Sequence, residues 1–133
     1  MTGVAAVSAG SAWAAGCGGC EGGPSKTLIQ RWNGTSFKQV RSPSPGTGDI
    51  LSGVAAASAR SAWAVGGTFP AGSTEKPLIL HWNGNSWKRS PSPALADSAL
   101  NGVAAVSPST AWAVGQSGGR TTLILRWNGK SWK

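Results

Sequence analysis

The sequence predicts an all-β protein built from three copies of one four-stranded unit. The segment GVAAVSAGSAWAAG begins at Gly3 and returns in similar form at Gly53 and Gly102, so successive copies begin 50 and 49 residues apart. The segment LIQRWNGTSFK begins at Leu28 and returns at Leu78 and Leu123. A period of this size is typical of repeat architectures. No window of helical length shows a sustained apolar stripe, which favours strands over helices.

Composition sets further bounds. The 133 residues are enough for one domain, or for three small units that cannot stand alone. Glycine and proline, with 20 and 8 residues, interrupt the chain often enough for short strands and turns. The net charge of +8 predicts anionic partners. The alternative is that the scattered Lys and Arg residues only keep the sheet edges soluble. No segment is long and apolar enough to span a bilayer.

The first two strands of each repeat differ in character. Gly3–Ser8 and its copies at 53–58 and 102–107 hold small and β-branched residues, which suits a crowded position where several backbones converge. The second strand, 62–66 in the middle repeat, ends in glycines that we expect to permit a sharp reversal. A loop of variable length then leads to the third strand.

The third and fourth strands are predicted to form a hairpin. The third strand is 78–82 in the middle repeat, and the fourth begins at Ser86. The Asn-Gly pair between them is a strong hairpin signal because both residues tolerate positive φ. An aromatic residue on each arm stabilises such a turn. Lys or Arg and then Ser-Pro-Ser-Pro follow in the first two repeats, and these are residues that protect an exposed sheet edge.

A four-stranded meander that is crowded at one edge and charged at the other is the pattern of a β-propeller blade. The sequences GVAAVSPSTAWAVG and LILRWNGKSW resemble the tandem WNG-x-SW propeller repeats of bacterial proteins, and they are similar to photosystem-assembly and sialidase-type repeats. The hairpin also resembles that of six-bladed fucose-binding lectins. The resemblance implies three blades, at residues 1–45, 46–95 and 96–133, with no separate domains.

Three blades are too few for a ring, since propellers usually have four to eight. Two bare blade faces would remain, and we expect two chains to cover them by closing one six-bladed propeller as a homodimer. The short chains of the fucose lectins assemble into one propeller in this way, and the resemblance implies the same assembly for this chain. The alternative is a β-trefoil, which also has three four-stranded repeats, and Gln30-Arg31-Trp32 matches the Q-x-W signature of trefoil lectins. The other two repeats lack that signature.

The candidate ligand-binding residues recur at two repeat positions. A cation or histidine stands directly before each WNG tryptophan, which gives the set Arg31, His81, Arg126, Trp32, Trp82 and Trp127. Indole faces can stack on sugar rings while the basic side chains donate to hydroxyl or anionic groups. The alternative is structural, with tryptophans packing between blades and cations stacking over aromatic rings. In the fucose lectins an Arg and a Glu hold the sugar, and no repeated Glu occurs here.

Other chemistry finds little support. Cys17 and Cys20 form a C-x-x-C that is not repeated, and it predicts a local disulfide or two free thiols rather than a metal site. The four carboxylates are single residues in loops or linkers, and His81 is the only histidine. We therefore expect no catalytic residues, no metal and no cofactor.

The sequence thus predicts a non-enzymatic binding or scaffold module, with carbohydrate as the candidate ligand in pockets between blades. Two alternatives stay open, a structural self-assembling fragment with no specific ligand and a basic surface that binds acidic polymers. The expected partners are a second copy of the chain and a glycan, not nucleic acid. We expect a secreted or cell-surface location, although the first residues, MTGVAAVS, lack the features of a signal peptide.

Overall fold

The structure, a computed structural model, describes residues 2–21, 24–93, 95–118 and 120–133. The described residues form strands and turns but no helix, which confirms the all-β class. The strands are β1 (Gly3–Ser8), β2 (Ser11–Gly18), β3 (Lys26–Trp32), β4 (Phe37–Val40), β5 (Gly48–Ser58), β6 (Ser61–Phe69), β7 (Lys76–Trp82), β8 (Trp87–Arg89), β9 (Ser98–Ser107), β10 (Thr110–Ser117) and β11 (Thr121–Trp127).

The strands form three antiparallel meanders, one from each repeat. The first sheet has the order β1-β2-β3-β4, the second β5-β6-β7-β8, and the third β9-β10-β11. In the third sheet an isolated bridge between Trp127 and Trp132 takes the place of the fourth strand. Within the described part of the chain no hydrogen-bonded ladder joins two sheets and no sheet closes on itself. The β-trefoil alternative required strands of different repeats to pair in one barrel, so this pairing speaks against it.

The WNG segments form the predicted hairpins, but asparagine acts differently from the prediction. In the first hairpin the backbone N of Asn33 donates to the backbone O of Ser36 at 3.2 Å. The side-chain oxygen of Asn33 accepts from the backbone N of Thr35 and of Ser36, both at 3.0 Å. Only the glycine has positive φ, 100° at Gly34. Asparagine therefore serves as a side-chain acceptor, as in an Asx turn. Asn83 and Asn128 make the same contacts.

The predicted reversal after the second strand is wrong. β6 continues through Gly66 and Gly67 to Phe69, and β5 begins at Gly48, ahead of the predicted start at Gly53. The pairing shifts by a β-bulge between Leu51 and Gly53. A Cβ at Gly66 would overlap the carbonyl oxygen of Ile50 on the neighbouring strand. Glycine stands here because two backbones approach closely at the bulge.

The three sheets pack face to face in sequence order, with their first strands in contact. A Cβ at Gly3 would lie 3.2 Å from the Cα of Gly53, and a Cβ at Gly53 would lie 3.1 Å from the Cα of Gly102. Such spacing leaves little room for a side chain, which accounts for the glycines at Gly3 and Gly53, whereas a Cβ at Gly102 would meet nothing closer than Val114 Cγ2 at 3.6 Å. The predicted crowding of the first strands is present at both contacts.

Two apolar cores lie between the sheets. Alternation along β6 sends Ala62 and Ala64 toward the first sheet and Trp63 and Val65 toward the third. The second sheet is therefore buried on both faces. The core between the first and second sheets contains Trp13, Ala15, Ile29, Leu51, Val54, Ala62, Ala64, Leu78, Leu80, Trp82 and Trp87. The core between the second and third contains Trp63, Val65, Ile79, Leu100, Ala111, Ala113, Leu123, Leu125 and Trp132.

Candidate functional site

Three tryptophans meet at each place where two sheets pack. At the first junction the Trp13 ring centroid lies 4.9 Å from that of Trp82 and 5.1 Å from that of Trp87, with Trp87 edge-on at 86°. The second junction repeats the pattern. Trp63 lies 4.9 Å from Trp127 and 5.0 Å from Trp132, which is edge-on at 88°. In both triads one sheet contributes the central ring and the next contributes the other two.

These rings are placed for packing. Trp82 donates from its indole N to Ala59 O, and Trp127 donates to Pro108 O, each at 3.2 Å. Four other buried indole nitrogens have no hydrogen-bond partner within the described part of the chain: those of Trp13, Trp63, Trp87 and Trp132. Leaving a buried N–H unpaired is unfavourable, so apolar contact and ring geometry must compensate for it.

A basic residue accompanies each central ring. At the first junction the Arg31 guanidinium lies 5.1 Å from the Trp13 centroid and 5.7 Å from that of Trp82. At the second, the His81 ring lies 4.1 Å from Trp63, and its Nε2 is 3.2 Å from the hydroxyl oxygen of Ser61. Burial lowers the pKa of His81, which favours the neutral imidazole at neutral pH.

The six predicted ligand residues are divided among different places. Arg31 lies beside Trp82 of the second sheet and not beside Trp32, because neighbouring residues of a strand point to opposite faces. His81 shares the second junction with Trp127, and both contact Trp63. Arg126 and Trp32 lie on opposite ends of the array. Arg126 covers Trp112 at 5.5 Å, and Trp32 pairs with Phe37 at 5.2 Å. No single pocket gathers the set.

The two outer sheets each present one uncovered face. The third-sheet end face carries Val106, Trp112, Val114 and Ile124, all exposed. Trp112 holds the repeat position of Trp13 and Trp63, yet it is 44% exposed where they are 0% and 1% exposed. The first-sheet end face carries Val4 and Phe37, with Trp32 partly buried beside them. Each end face therefore holds half of an aromatic junction.

A scan against models of known protein families and a search of curated proteins found no match to this chain. Across the described ranges, no helix is long and apolar enough to cross a membrane. In the same ranges no group of three or more His, Cys, Asp or Glu side chains is placed to hold a metal ion.

The remaining candidate residues have structural surroundings. Cys17 and Cys20 are joined by a disulfide, with Cα atoms 6.1 Å apart. Asp49 is fully buried, and its carboxylate accepts from the hydroxyl groups of Ser44 and Thr68 and from the backbone N of Gly46. It anchors the linker between the first and second sheets. This role was not predicted from the sequence, because Asp49 has no carboxylate counterpart in the other repeats.

Sequence reasoning also missed hollows at one edge of the sheets, of which two are lined by basic side chains and another by Glu75 and Asp97. This loop edge holds the β2–β3 loop and the linker 41–47, and it lies opposite the WNG hairpins. The larger basic hollow, in the first sheet, has a volume of about 730 Å³ and the smaller, in the second, about 320 Å³. The signal was in the sequence, because a lysine stands two residues before Leu28 and again two residues before Leu78.

Proposed function

We propose that the chain is a non-enzymatic β-propeller scaffold module that completes its ring by pairing its two end faces with those of a second copy. The observation that carries the proposal is the exposure of Trp112. The same residue at the same repeat position is buried wherever a neighbouring sheet is present. In the proposed ring the third-sheet end face of each copy packs on the first-sheet end face of the other, so six sheets surround one axis.

The size of the end faces supports this assembly. A four-stranded sheet with strands of about 17–20 Å and a spacing of about 4.8 Å presents roughly 350 Å² per face. Two copies would cover four faces, on the order of 1,400 Å² in total, which is the area of a normal specific interface. Burying the exposed part of Trp112 contributes about 2 kcal/mol at about 25 cal/mol per Å².

The pairing is a head-to-tail contact, which either closes into a ring or extends into a filament. The spacing of the first strands favours closure. Gly3, Gly53 and Gly102 lie against one another in order, so three sheets share one crowded line of backbones. A ring of six sheets falls within the usual range for propellers. Glycan binding at Arg31, His81 and Arg126 stays a prediction from the sequence, and the scaffold proposal does not depend on it.

The mass of the particle in solution tests the proposal. We expect twice the chain mass of 13.4 kDa by light scattering at micromolar concentration. Trp112→Ala removes contact at both interfaces of the ring, about 4 kcal/mol in all, and should weaken dimerisation roughly 1,000-fold. Phe69→Ala is the matched control, because Phe69 is similarly exposed, at 39%, but lies away from the end faces. A stable monomer, or a filament, would contradict the proposal.

A further inference from the structure

The two basic hollows at the loop edge occupy equivalent places in two repeats. The larger is lined by Lys26, Thr27, Gln39, Arg41, Ser42 and Ser44, together with loop glycines and Leu28. The smaller is lined by Lys76, Pro77, Arg89, Pro91, Ser92 and Pro93. The lysines, Lys26 and Lys76, begin β3 and β7 and stand 50 residues apart, as do Ser42 and Ser92. The repeat thus places a lysine and a serine at equivalent positions of both hollows. The second basic side chain comes from positions that are not equivalent, Arg41 and Arg89, which are 48 residues apart.

Among the residues that the structure describes, no carboxylate lines either of these two hollows. Asp49 lies behind Ser44, and its fully buried carboxylate accepts a hydrogen bond from the Ser44 hydroxyl at 2.6 Å. Glu21 stands in the same loop as Gly19 and Pro24 but is not among the lining residues. Lys26 and Arg41 are both exposed. Their charges therefore face solvent across the hollow and favour an anionic group in it.

Hydroxyl groups form an ordered wall of the larger hollow. The Thr27 hydroxyl lies 2.8 Å from the Ser42 hydroxyl and 2.8 Å from Pro43 O, and the Thr27 backbone N donates to Ser44 at 3.3 Å. Thr27 itself is buried. These bonds join the start of β3 to the Ser-Pro-Ser-Pro linker, so the polar wall is held in place before any ligand arrives. Preorganisation of this kind lowers the ordering entropy that binding must overcome.

From these observations we infer that the first-sheet hollow is a binding site for the carboxylate or sulfate groups of an acidic polysaccharide. Lys26 and Arg41 would hold the anionic group, while Gln39 and the hydroxyl wall would meet the sugar hydroxyls. The volume of about 730 Å³ is typical of small-ligand sites. No aromatic side chain is among the described lining residues, which therefore offer no platform for stacking the bases of a single-stranded nucleic acid.

The site does not depend on the proposed ring. The second-sheet hollow stays open although the first sheet packs on that side, and none of its lining residues belongs to the first sheet. We therefore expect the first-sheet hollow to remain open in a dimer as well. In the third sheet Thr121 takes the place of the lysine, and we expect no third site.

The experiment uses the full chain and a size-defined heparin hexasaccharide, with a single-stranded DNA oligonucleotide of equal charge as the rival probe. Binding is followed by fluorescence anisotropy at several salt concentrations. The test variant is Lys26→Gln with Arg41→Gln. The matched control is Arg120→Gln with Lys130→Gln, which removes the same charge from two exposed residues outside the hollows.

We expect the test variant to bind heparin at least about 10-fold more weakly, and the control less than about 3-fold. The salt dependence should fall by roughly two counter-ions in the test variant. Equal losses in both variants would overturn the site, because they would indicate diffuse attraction. DNA binding as tight as heparin binding, with the same dependence on Lys26 and Arg41, would overturn the polysaccharide assignment. Light scattering on the same samples separates these outcomes from failure of the ring.

Discussion

Trp63 and Trp112 occupy the same repeat position in strands with the same pairing, and they differ in what lies opposite. Trp63 packs on Trp127 and Trp132 of the next sheet and is 1% exposed. Trp112 has only Arg126 over its face. The repeat thus specifies one half of a junction on each face of each sheet. Whether a half becomes core or surface depends on the neighbouring sheet, so a residue's burial here is set by its position in the array rather than by its own sequence context.

The largest effect is expected where the junction is complete. Trp63→Ala removes the central ring of the second junction and should lower the free energy of unfolding by about 3–5 kcal/mol. Trp112→Ala removes a ring that is already half exposed and should change the stability of the dilute chain by about 1 kcal/mol or less. Urea unfolding at low protein concentration measures both. Equal losses of unfolding free energy in the two variants would show that Trp112 packs against more than its own sheet in the dilute chain.

A backbone contact gives the next largest effect. Gly53→Ala places a Cβ 3.1 Å from Gly102 Cα and should lower the free energy of unfolding by about 1–3 kcal/mol. Gly102→Ala meets nothing closer than Val114 Cγ2 at 3.6 Å and should leave the dilute chain within about 0.5 kcal/mol of the wild type.

The same pair of variants also reports on the ring. If the first strand of a second copy approaches Gly102 as Gly102 approaches Gly53, then Gly102→Ala should weaken dimerisation by about 10-fold or more while the chain stays folded. Light scattering across a dilution series measures this. Unchanged dimerisation by Gly102→Ala would contradict the proposed contact between first strands.

Much of this fold follows from sequence periodicity. The repeat period, the WNG hairpins and the small first strands predict three antiparallel meanders, and each of these is present. The strand limits were harder, because residues 48–52 and 98–101 share only a leucine two residues before the repeat glycine, Leu51 and Leu100, which is too little to predict an extended strand. Gly66 was assigned to a reversal since sequence alone does not show that the Ile50 carbonyl would occupy the space of a Cβ.

The sites were less predictable than the fold. Period-2 alternation places Arg31 opposite Trp32, but it does not reveal that Trp82 of the next sheet lies within 5.7 Å of the guanidinium. The loop-edge hollow depends on Thr27 and on Ser42 and Ser44 of the Ser-Pro-Ser-Pro segment, which was predicted only to protect an exposed sheet edge. Their arrangement is produced by the linker folding back on β3.

The smallest expected effect is a pH dependence of stability that arises at the second junction. Burial holds the pKa of His81 below its usual value of about 6.5, so the unfolded chain takes up a proton more readily than the folded one. The stabilising contribution is present above about pH 6.5 and is lost as pH falls through the lower folded pKa. The first junction has Arg31 at the same repeat position in place of an imidazole.

We therefore expect the wild-type Tm to fall between pH 7 and pH 5, and to fall less in His81→Gln, which keeps a polar side chain that does not titrate. Burial raises the pKa of Glu75, and this acts in the opposite direction, since the folded chain then holds that proton more tightly as pH falls. Both chains contain Glu75, so the difference between their Tm profiles isolates His81. Parallel Tm profiles would mean that the pKa of His81 is the same in the folded and the unfolded chain. The second junction would then not hold the imidazole neutral.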